Sequence, residues 1–348
     1  MKNVRVGARS IGEECNVFII AEAGVNHNGS VELARKMIDE ARKAGADAIK
    51  FQTFRAEALV TKDAEKAEYQ KASTEQGSQY DMIKKLELAE ADFAGLKKYA
   101  DKAGIIFLST PFDEKSADML DALGMPAFKI ASGEITNFPL LKHIASKGKP
   151  VILSTGMATI DEIQTAIKTL RDSGQTAIVA LHCTTSYPAS MDELNLRSMQ
   201  TMHAMLGVPV GYSDHSLGIT APIAAVALGA CVIEKHFTLD RAMSGPDHAA
   251  SLQPGELGEM VRAIRDVEKA LGSGKKEPTD NEKKIMLVVR KSLVAASDIP
   301  AGATITREML AAKRPGTGVH PGEMDRFVGR KAARSIRKDE QLKHGDAV

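Results

Sequence analysis

The sequence predicts a (β/α)8 barrel followed by a small, mostly β module, and three observations carry that reading. Eight short apolar runs recur through the first 240 residues: Val17–Ala23, Asp47–Thr53, Ile105–Phe112, Ala127–Glu134, Pro150–Met157, Thr176–Thr185, Pro209–Ser216 and Cys231–Asp240. Amphipathic stretches such as Ser30–Ala44, Thr159–Ser173 and Gly218–Leu228 separate them, and strand–helix alternation repeated eight times is the pattern of this barrel. Each run also breaks into polar, chemically capable residues at its C-terminal end, where such barrels build their active sites.

Taken in order, the first strand ends in Glu22-Ala-Gly-Val-Asn-His-Asn-Gly29, and Ser30 then caps a helix that closes at Gly45. The second strand ends in Lys50-Phe-Gln-Thr53. The connection Phe54–Glu90 is longer than an ordinary βα loop. It reads either as an active-site lid or as a surface excursion with its own helix at Gln79–Leu88. The last helix spans Pro254–Leu271, and a Gly/Lys/Pro cluster follows at Gly272–Asp280. These punctuation marks divide the chain into a barrel at 1–275, a linker at 276–289 and a turn-rich module at 290–348, in which Ser292–Ala296 is a strand candidate. A module this small has a limited core and is expected to dock against something else.

Composition narrows the function. The 46 basic and 45 acidic side chains nearly cancel, giving no basic field for nucleic acid. No apolar run approaches the ~20 residues that span a bilayer, and Met1–Asn16 lacks the apolar core of a secretion signal. Cys15, Cys183 and Cys231 show no paired spacing, so a reduced cytoplasmic protein is expected.

Side chains alternate faces along a strand, so Lys50 projects with Gln52, Ser213 with His215, Glu234 with His236 and His182 with Thr184. On that parity Cys183 points to the helix layer as a packed thiol. His215 and His236 end adjacent strands at equivalent depth, ~4.8 Å apart. One such histidine alone is best read as hydrogen-bonded to a neighbouring carbonyl. Two together, with Asp214 and Glu234 beside them, favour a divalent cation with open positions for water and substrate. His182 is expected either to join them or to act as acid or base.

Lys50, Thr110, Lys129, Ser132, Ser154 and Ser213 form a second group. A lone buried ammonium is costly, so two lysines among hydroxyls imply an anionic ligand, a phosphate or carboxylate. The plainer alternative pairs them with Glu22 and Glu134 in internal salt bridges. No Gly-rich nucleotide loop of either common type is present, which disfavours ATP and NAD. Glu22, Glu134 and Asp247 are acid/base candidates or contacts to substrate hydroxyls. An anion site beside a metal site suits activation of an aldehyde oxygen while a phosphorylated partner is held for attack.

Read together, Ala21–Gly29, Lys50–Phe54, Ser109-Thr-Pro-Phe112, Lys129–Glu134, Leu153–Met157, His182-Cys-Thr184, Tyr187-Pro188, Gly211–His215, Glu234–Thr238 and Gly245–His248 resemble the sialic acid synthase family. In the tail, Arg290–Val294 and Lys313–Gly316 resemble that family's antifreeze-like (SAF) module, so the likeness runs over essentially the whole chain. The resemblance implies condensation of phosphoenolpyruvate with an open-chain N-acyl-hexosamine to a nine-carbon 2-keto acid plus phosphate, with C–O cleavage. The sugar would be N-acetylmannosamine or a 2,4-diacetamido-6-deoxy relative.

The same resemblance implies a cation on His215 and His236, manganese first, with magnesium or cobalt as alternatives. It implies phosphoenolpyruvate on Lys50, Thr110, Lys129, Ser132, Ser154 and Ser213, and Glu22, Gln52, Tyr187, Glu134 and Asp247 on the sugar side. Thr185 is a further substrate contact, at a position where some members carry Asn. Glu134 is expected to handle the proton of the attacking water. Arg314 is expected to reach the sugar in a partner subunit's barrel through a domain-swapped homodimer. Three other readings compete: a 3-deoxy-sugar-acid phosphate synthase acting on a phosphorylated aldose, a Schiff-base aldolase using Lys50 or Lys129, and a carbohydrate- or ice-binding protein.

Overall fold

The structure is a computed structural model that describes residues 3–74 and 76–348. The chain divides into two compact units, 1–272 and 273–348. The first opens with an antiparallel hairpin, β1 (Val4–Val6) and β2 (Arg9–Ile11). Its Val4, Val6 and Ile11 enter the main core, and Arg9 pairs with Asp47 at 3.1 Å. Gly7 faces Ile106 and Pro126, so the hairpin lies at the N-terminal end of the strands that follow.

Those strands are β3 (Phe18–Gly24), β4 (Ala48–Thr53), β5 (Ile106–Pro111), β6 (Phe128–Ile130), β7 (Val151–Ser154), β8 (Ile178–Cys183), β9 (Val210–Asp214) and β10 (Val232–His236). All eight are parallel, in the order β5-β4-β3-β10-β9-β8-β7-β6, so chain neighbours pair everywhere except between β5 and β6, and the last strand pairs with the first. This is a sheet nearly closed into a (β/α)8 barrel. The strands are buried on both faces, which is why they read as continuous apolar runs rather than as alternation.

The helices that return the chain are α1 (Val31–Ala44), then α2 (Ala56–Leu59), α3 (Glu68–Ser73) and α4 (Gln79–Lys84) inside the long excursion, then α5 (Glu90–Ala103). They continue with α6 (Glu114–Ala122), α7 (Phe138–Ala145), α8 (Ile160–Asp172), α9 (Ser198–Leu206), α10 (Thr220–Ala227) and α11 (Pro254–Leu271). Their ends follow the sequence chemistry. The Ser30 hydroxyl accepts from Leu33 N to start α1, and Gly45, at φ +86°, donates back to Ala41 and Arg42 to stop it. Thr159 and Glu162 form a capping box on α8. No helix among the described residues is long and apolar enough to cross a membrane.

The second unit begins at Ser273, just before the segment expected as a linker, and that segment carries a helix, α12 (Asp280–Val289), capped by Thr279 and Glu282. Beyond it β11 (Ser292–Ala295) and β12 (Leu310–Lys313) pair antiparallel. Leu293, Ile299, Ile305, Phe327, Ile336 and Leu342 build a core of their own beneath them.

Candidate active site

A cavity of about 300 Å³ opens at the C-terminal ends of the barrel strands. Its floor is assembled by register. Glu22 on β3 pairs with Lys50 on β4, Gln52 pairs with Thr110 on β5, and Ser213 on β9 pairs with Glu234 on β10. Residues far apart in the chain thus arrive level on one inner face.

Lys50 Nζ lies 2.7 Å from Glu22 Oε2, 3.9 Å from Glu234 Oε2, and donates to Thr110 Oγ1 at 3.1 Å. Lys129 Nζ donates to Ser154 Oγ at 2.7 Å and lies 3.5 Å from Glu234 Oε1, which also accepts from Ser213 Oγ at 3.0 Å. Gln52 donates to Glu22 Oε1 at 3.2 Å. The lysines are thus salt-bridged, Lys50 to Glu22 and Lys129 to Glu234 rather than to Glu134, and both line the cavity.

Burial and charge set the protonation of this floor. Desolvation lifts the Glu22 carboxyl to about 7, aided by the Glu234 charge and resisted by Lys50. Burial alone would raise Glu234 too, but Lys129 and Lys50 outweigh it and hold that carboxyl below its usual value. Lys50 goes up despite burial because Glu22 and Glu234 flank it, whereas burial wins at Lys129 and pulls it down. Asp247, buried at the mouth, is lifted to about 6 by desolvation, against His215 and Lys50. Two ammonium groups thus face one firmly ionised carboxylate and one that titrates near neutrality.

The imidazoles of His215 and His236 stand with ring centroids 5.4 Å apart. Thr184 O lies 2.7 Å from His215 Nδ1; a proton held there leaves Nε2 with its lone pair, 3.1 Å from the Tyr187 hydroxyl. His236 Nδ1 is buried without a hydrogen-bond partner, and burial, then the charges of His215 and Lys50, holds that ring far below the usual imidazole range. A neutral imidazole beside a second one whose tautomer is fixed by a carbonyl suits one divalent cation. Among the described residues no group of three or more His, Cys, Asp or Glu side chains could hold a metal ion. Such an ion would therefore take two protein ligands and complete its shell with water or substrate.

Two glycines make room for this arrangement. Gly24, at φ +53°, turns the chain off β3, where a Cβ would stand 3.2 Å from Glu22 Oε1 and 3.5 Å from His236 Cε1. At Gly156 a Cβ would lie 2.1 Å from Thr185 Oγ1 and 2.9 Å from Ser132 Oγ, and its N–H donates to that Ser132 oxygen at 2.9 Å.

Most of the residues expected from sequence line this one cavity: Glu22, Lys50, Gln52, Thr110, Lys129, Ser132, Ser154, Thr185, Tyr187, Ser213, His215, His236 and Asp247. Five expectations need correction or relocation. Cys183 faces the cavity, not the helix layer, because it pairs with inward-facing Ser213; its Sγ lies 3.8 Å from His215 Nδ1. His182, one residue earlier, accordingly points outward, where Nε2 meets Leu194 O at 2.7 Å and the ring stacks on Tyr212. Asp214 also faces away, in a fully buried ion pair with Lys235. Glu134 stands outside the cavity lining, in a 3-10 turn at Ser132–Glu134, its carboxylate accepting from Asn137 Nδ2 at 2.7 Å. Arg314 is an exposed residue of the second unit.

Sequence reasoning missed the weight of Glu234, although its two-residue spacing from His236 carried the signal. It also missed Tyr69 and Gln70, which the excursion brings to the cavity. Tyr69 stacks on Tyr187 with centroids 5.2 Å apart, and Tyr187 stacks in turn on His215 at 4.1 Å.

A barrel whose strand ends bring two buried lysines and two facing imidazoles into one cavity has the lining of an enzyme active site. Comparison with known proteins gives the family. The NeuB family model matches residues 37–276 and the SAF domain model matches residues 290–347. The chain belongs to the NeuB family. It is 50% identical over 335 residues to the N,N'-diacetyllegionaminic acid synthase of Legionella pneumophila, covering 95% of this chain and 94% of that protein. It is 49% identical over 329 residues to the synthase of the same name from Campylobacter jejuni, covering 94% and 98%. The crystal structure of an N-acetylneuraminic acid synthetase from Leptospira borgpetersenii, in complex with citrate, superposes with a TM-score of 0.73 at 40% identity, covering 82% of this chain and 95% of that one.

Proposed function

We propose that this chain condenses phosphoenolpyruvate with the open-chain form of an N-acyl-hexosamine, giving a nine-carbon 2-keto acid of the sialic acid type and phosphate. A 2,4-diacetamido-6-deoxy sugar is the first candidate, because the two legionaminic acid synthases share about half of their residues with it. The observation that carries the reading is the pairing of buried Lys50 and Lys129 at the foot of a cavity whose mouth holds His215 and His236.

In this reading Lys50, Lys129 and the hydroxyls of Thr110, Ser132, Ser154 and Ser213 bind the phosphate and carboxylate of phosphoenolpyruvate. Gln52, Thr185, Tyr187 and Asp247 orient the sugar. His215 and His236 would hold a divalent cation, manganese by preference; when bound, it supplies Lewis-acid polarisation of the sugar's aldehyde oxygen. Glu22, poised near 7 and 2.7 Å from Lys50, replaces Glu134 as the group that holds the proton of the attacking water.

We further propose a homodimer in which Arg314 serves the partner subunit's barrel, and a cytoplasmic location, which suits the free thiols of Cys15, Cys183 and Cys231. Phosphate release decides the reaction. It is expected from phosphoenolpyruvate with N-acetylmannosamine or its 2,4-diacetamido-6-deoxy relative, and not with arabinose 5-phosphate. Release with arabinose 5-phosphate alone would move the chain to the 3-deoxy-sugar-acid phosphate synthases.

A further inference from the structure

Two sequence motifs meet behind the cavity: the loop after β3, with Asn26 and Asn28, and Gly245–His248, of which Pro246 and Asp247 reach the lining. Asp247 sits in the connection between β10 and α11, a loop laced at its base. There Thr238 N donates to Leu252 O at 2.8 Å, and Leu252 N donates to His236 O at 2.9 Å. Beyond that base the loop runs off the sheet. The place of Asp247 therefore depends on the side chains that grip the loop.

That grip comes from two asparagines of the β3–α1 loop. Asn26 Nδ2 donates to Phe237 O at 2.9 Å and to Ser251 Oγ at 3.0 Å, and Ser251 Oγ donates to Asp247 O at 2.6 Å. Asn28 Nδ2 donates to Ser244 O at 2.9 Å, so its Oδ1 is left to accept from His248 Nε2 at 3.1 Å. With its proton there, the buried His248 ring offers Nδ1 to the Thr238 hydroxyl at 2.7 Å. Asn28 thus holds the loop on both sides of Asp247, at Ser244 and at His248. The two segments lie close against each other: Gly245 is at φ +152°, and a Cβ on it would stand 2.6 Å from His248 Cδ2 and 2.9 Å from Asn28 Oδ1. Neither Asn28 nor His248 lines the cavity.

We propose that Asn28 and His248 are positioning residues for the condensation: they hold the Asp247 carboxylate where the sugar meets it. The inference rests on the condensation reading above, in which Asp247 orients the sugar. The two substrates then feel this clamp unequally. Lys50, Thr110, Lys129 and Ser154, assigned to phosphoenolpyruvate, sit on the strands and brace one another by ion pairs and hydrogen bonds. They keep their places when the loop slackens. Asp247 does not, and a misplacement of about 1 Å in a substrate-orienting group costs up to about 100-fold in rate.

The test is phosphate release by the full-length protein with manganese, each substrate varied in turn. The sugar is whichever of N-acetylmannosamine and its 2,4-diacetamido-6-deoxy relative the parent turns over. Asn28→Gly removes the side chain and accepts the backbone φ of +49° at this position. It is expected to raise the KM for the sugar and lower its kcat/KM by about 10- to 100-fold, with the KM for phosphoenolpyruvate unchanged. His248→Leu should do the same, and His248→Gln, which keeps a donor for Asn28, should recover most of the loss. If Asn28→Gly misfolds, His248→Leu against His248→Gln decides by the same split. Added to Asp247→Asn, Asn28→Gly should cost nothing further, because both act through one carboxylate. A folded Asn28→Gly enzyme with the parent's kcat/KM for the sugar, or with both KM values raised alike, overturns the proposal and leaves the condensation standing. So does a double variant whose losses multiply. A parent that releases phosphate with neither sugar overturns both readings.

Discussion

Glu22 and Lys50 face each other across the β3–β4 ladder, with Oε2 2.7 Å from Nζ and both side chains buried. Each makes the other's burial tolerable, and the ammonium is thereby kept charged at the floor of the cavity. Breaking such a pair strands a charge in a dry site at a cost of about 3–5 kcal/mol, whereas removing both partners is far milder. Lys50→Met is therefore expected to lose both turnover and stability. The double variant Glu22→Gln/Lys50→Met should recover most of the stability in urea melts but none of the phosphate release. A stable, active Lys50→Met enzyme would remove Lys50 from the anion site.

The two imidazoles predict a metal requirement. Chelation with EDTA is expected to abolish phosphate release, and added manganese to restore it. His236→Ala should stay inactive at the same manganese concentration, having lost one of the two imidazoles proposed to hold the ion. Borohydride added with both substrates should leave Lys50 and Lys129 unmodified by mass spectrometry. A trapped adduct, or full activity after complete metal removal, would favour a Schiff-base aldolase instead.

Gly156 predicts a steric effect. A methyl group there lands on Thr185 Oγ1 and presses on Ser132 Oγ. Overpacking of this kind costs about 1–3 kcal/mol, so Gly156→Ala should melt earlier yet fold. Its kcat/KM for phosphoenolpyruvate is expected to fall by about tenfold or more, since ~1.4 kcal/mol of lost transition-state contact is tenfold in rate. A folded variant with unchanged kinetics would show that neither Ser132 nor Thr185 needs its present position.

These residues show what the sequence could and could not disclose. The barrel was legible because eight apolar runs of strand length, each with a polar C-terminal end, leave few other folds. Lys50, Lys129, His215 and His236 were legible because charged or imidazole groups closing an apolar run must be explained by a ligand or a partner. The parity of β8 was not. Its end reads His182-Cys183-Thr184-Thr185, polar at both parities, and a one-residue slip exchanges every side chain between faces. Only the register with Ser213 on β9 decides that Cys183 looks inward. Tyr69 and Gln70 were equally hidden, because they lie in an excursion without period whose path over the cavity is a tertiary fact. Glu134 follows its strand far enough to enter a 3-10 turn, where strand alternation says nothing about which way its carboxylate faces.

His27 predicts a pH dependence of stability. Its Nδ1 accepts from Gly29 N at 3.1 Å, while Nε2 is buried without a partner. Desolvation, and then the nearby His248, lowers this imidazole to about 4. Unfolded histidine titrates near 6.5, so between about 4 and 6.5 the unfolded chain binds the extra proton. Stability then rises with pH across that window and is lost on acidification, by up to about 1.4 kcal/mol per pH unit. Glu22 and Asp247, lifted by burial to about 7 and about 6, act with the opposite sign, so the comparison must be with a variant. His27→Asn keeps an acceptor for Gly29 N and removes the titration. Urea midpoints between pH 4.5 and 6.5 should climb more steeply for the parent than for His27→Asn, and equal slopes would clear this ring of any part in acid sensitivity.

Arg314 predicts complementation between subunits. It is exposed beside Pro315 in the second unit, just after β12, so its loss should leave both cores intact. Arg314→Ala is expected to raise the KM for the sugar and lower kcat with no shift in melting temperature. If the arginine serves the partner subunit's barrel, a dimer mixing Arg314→Ala with His236→Ala regains one intact site. The Arg314→Ala subunit contributes the working barrel, and the His236→Ala subunit contributes the arginine. Co-expression with two different affinity tags, followed by purification on both, isolates such mixed dimers. Phosphate release well above that of either parent variant is the expected result, and mixed dimers as inactive as their parents would place the arginine in its own chain's barrel or outside the reaction altogether.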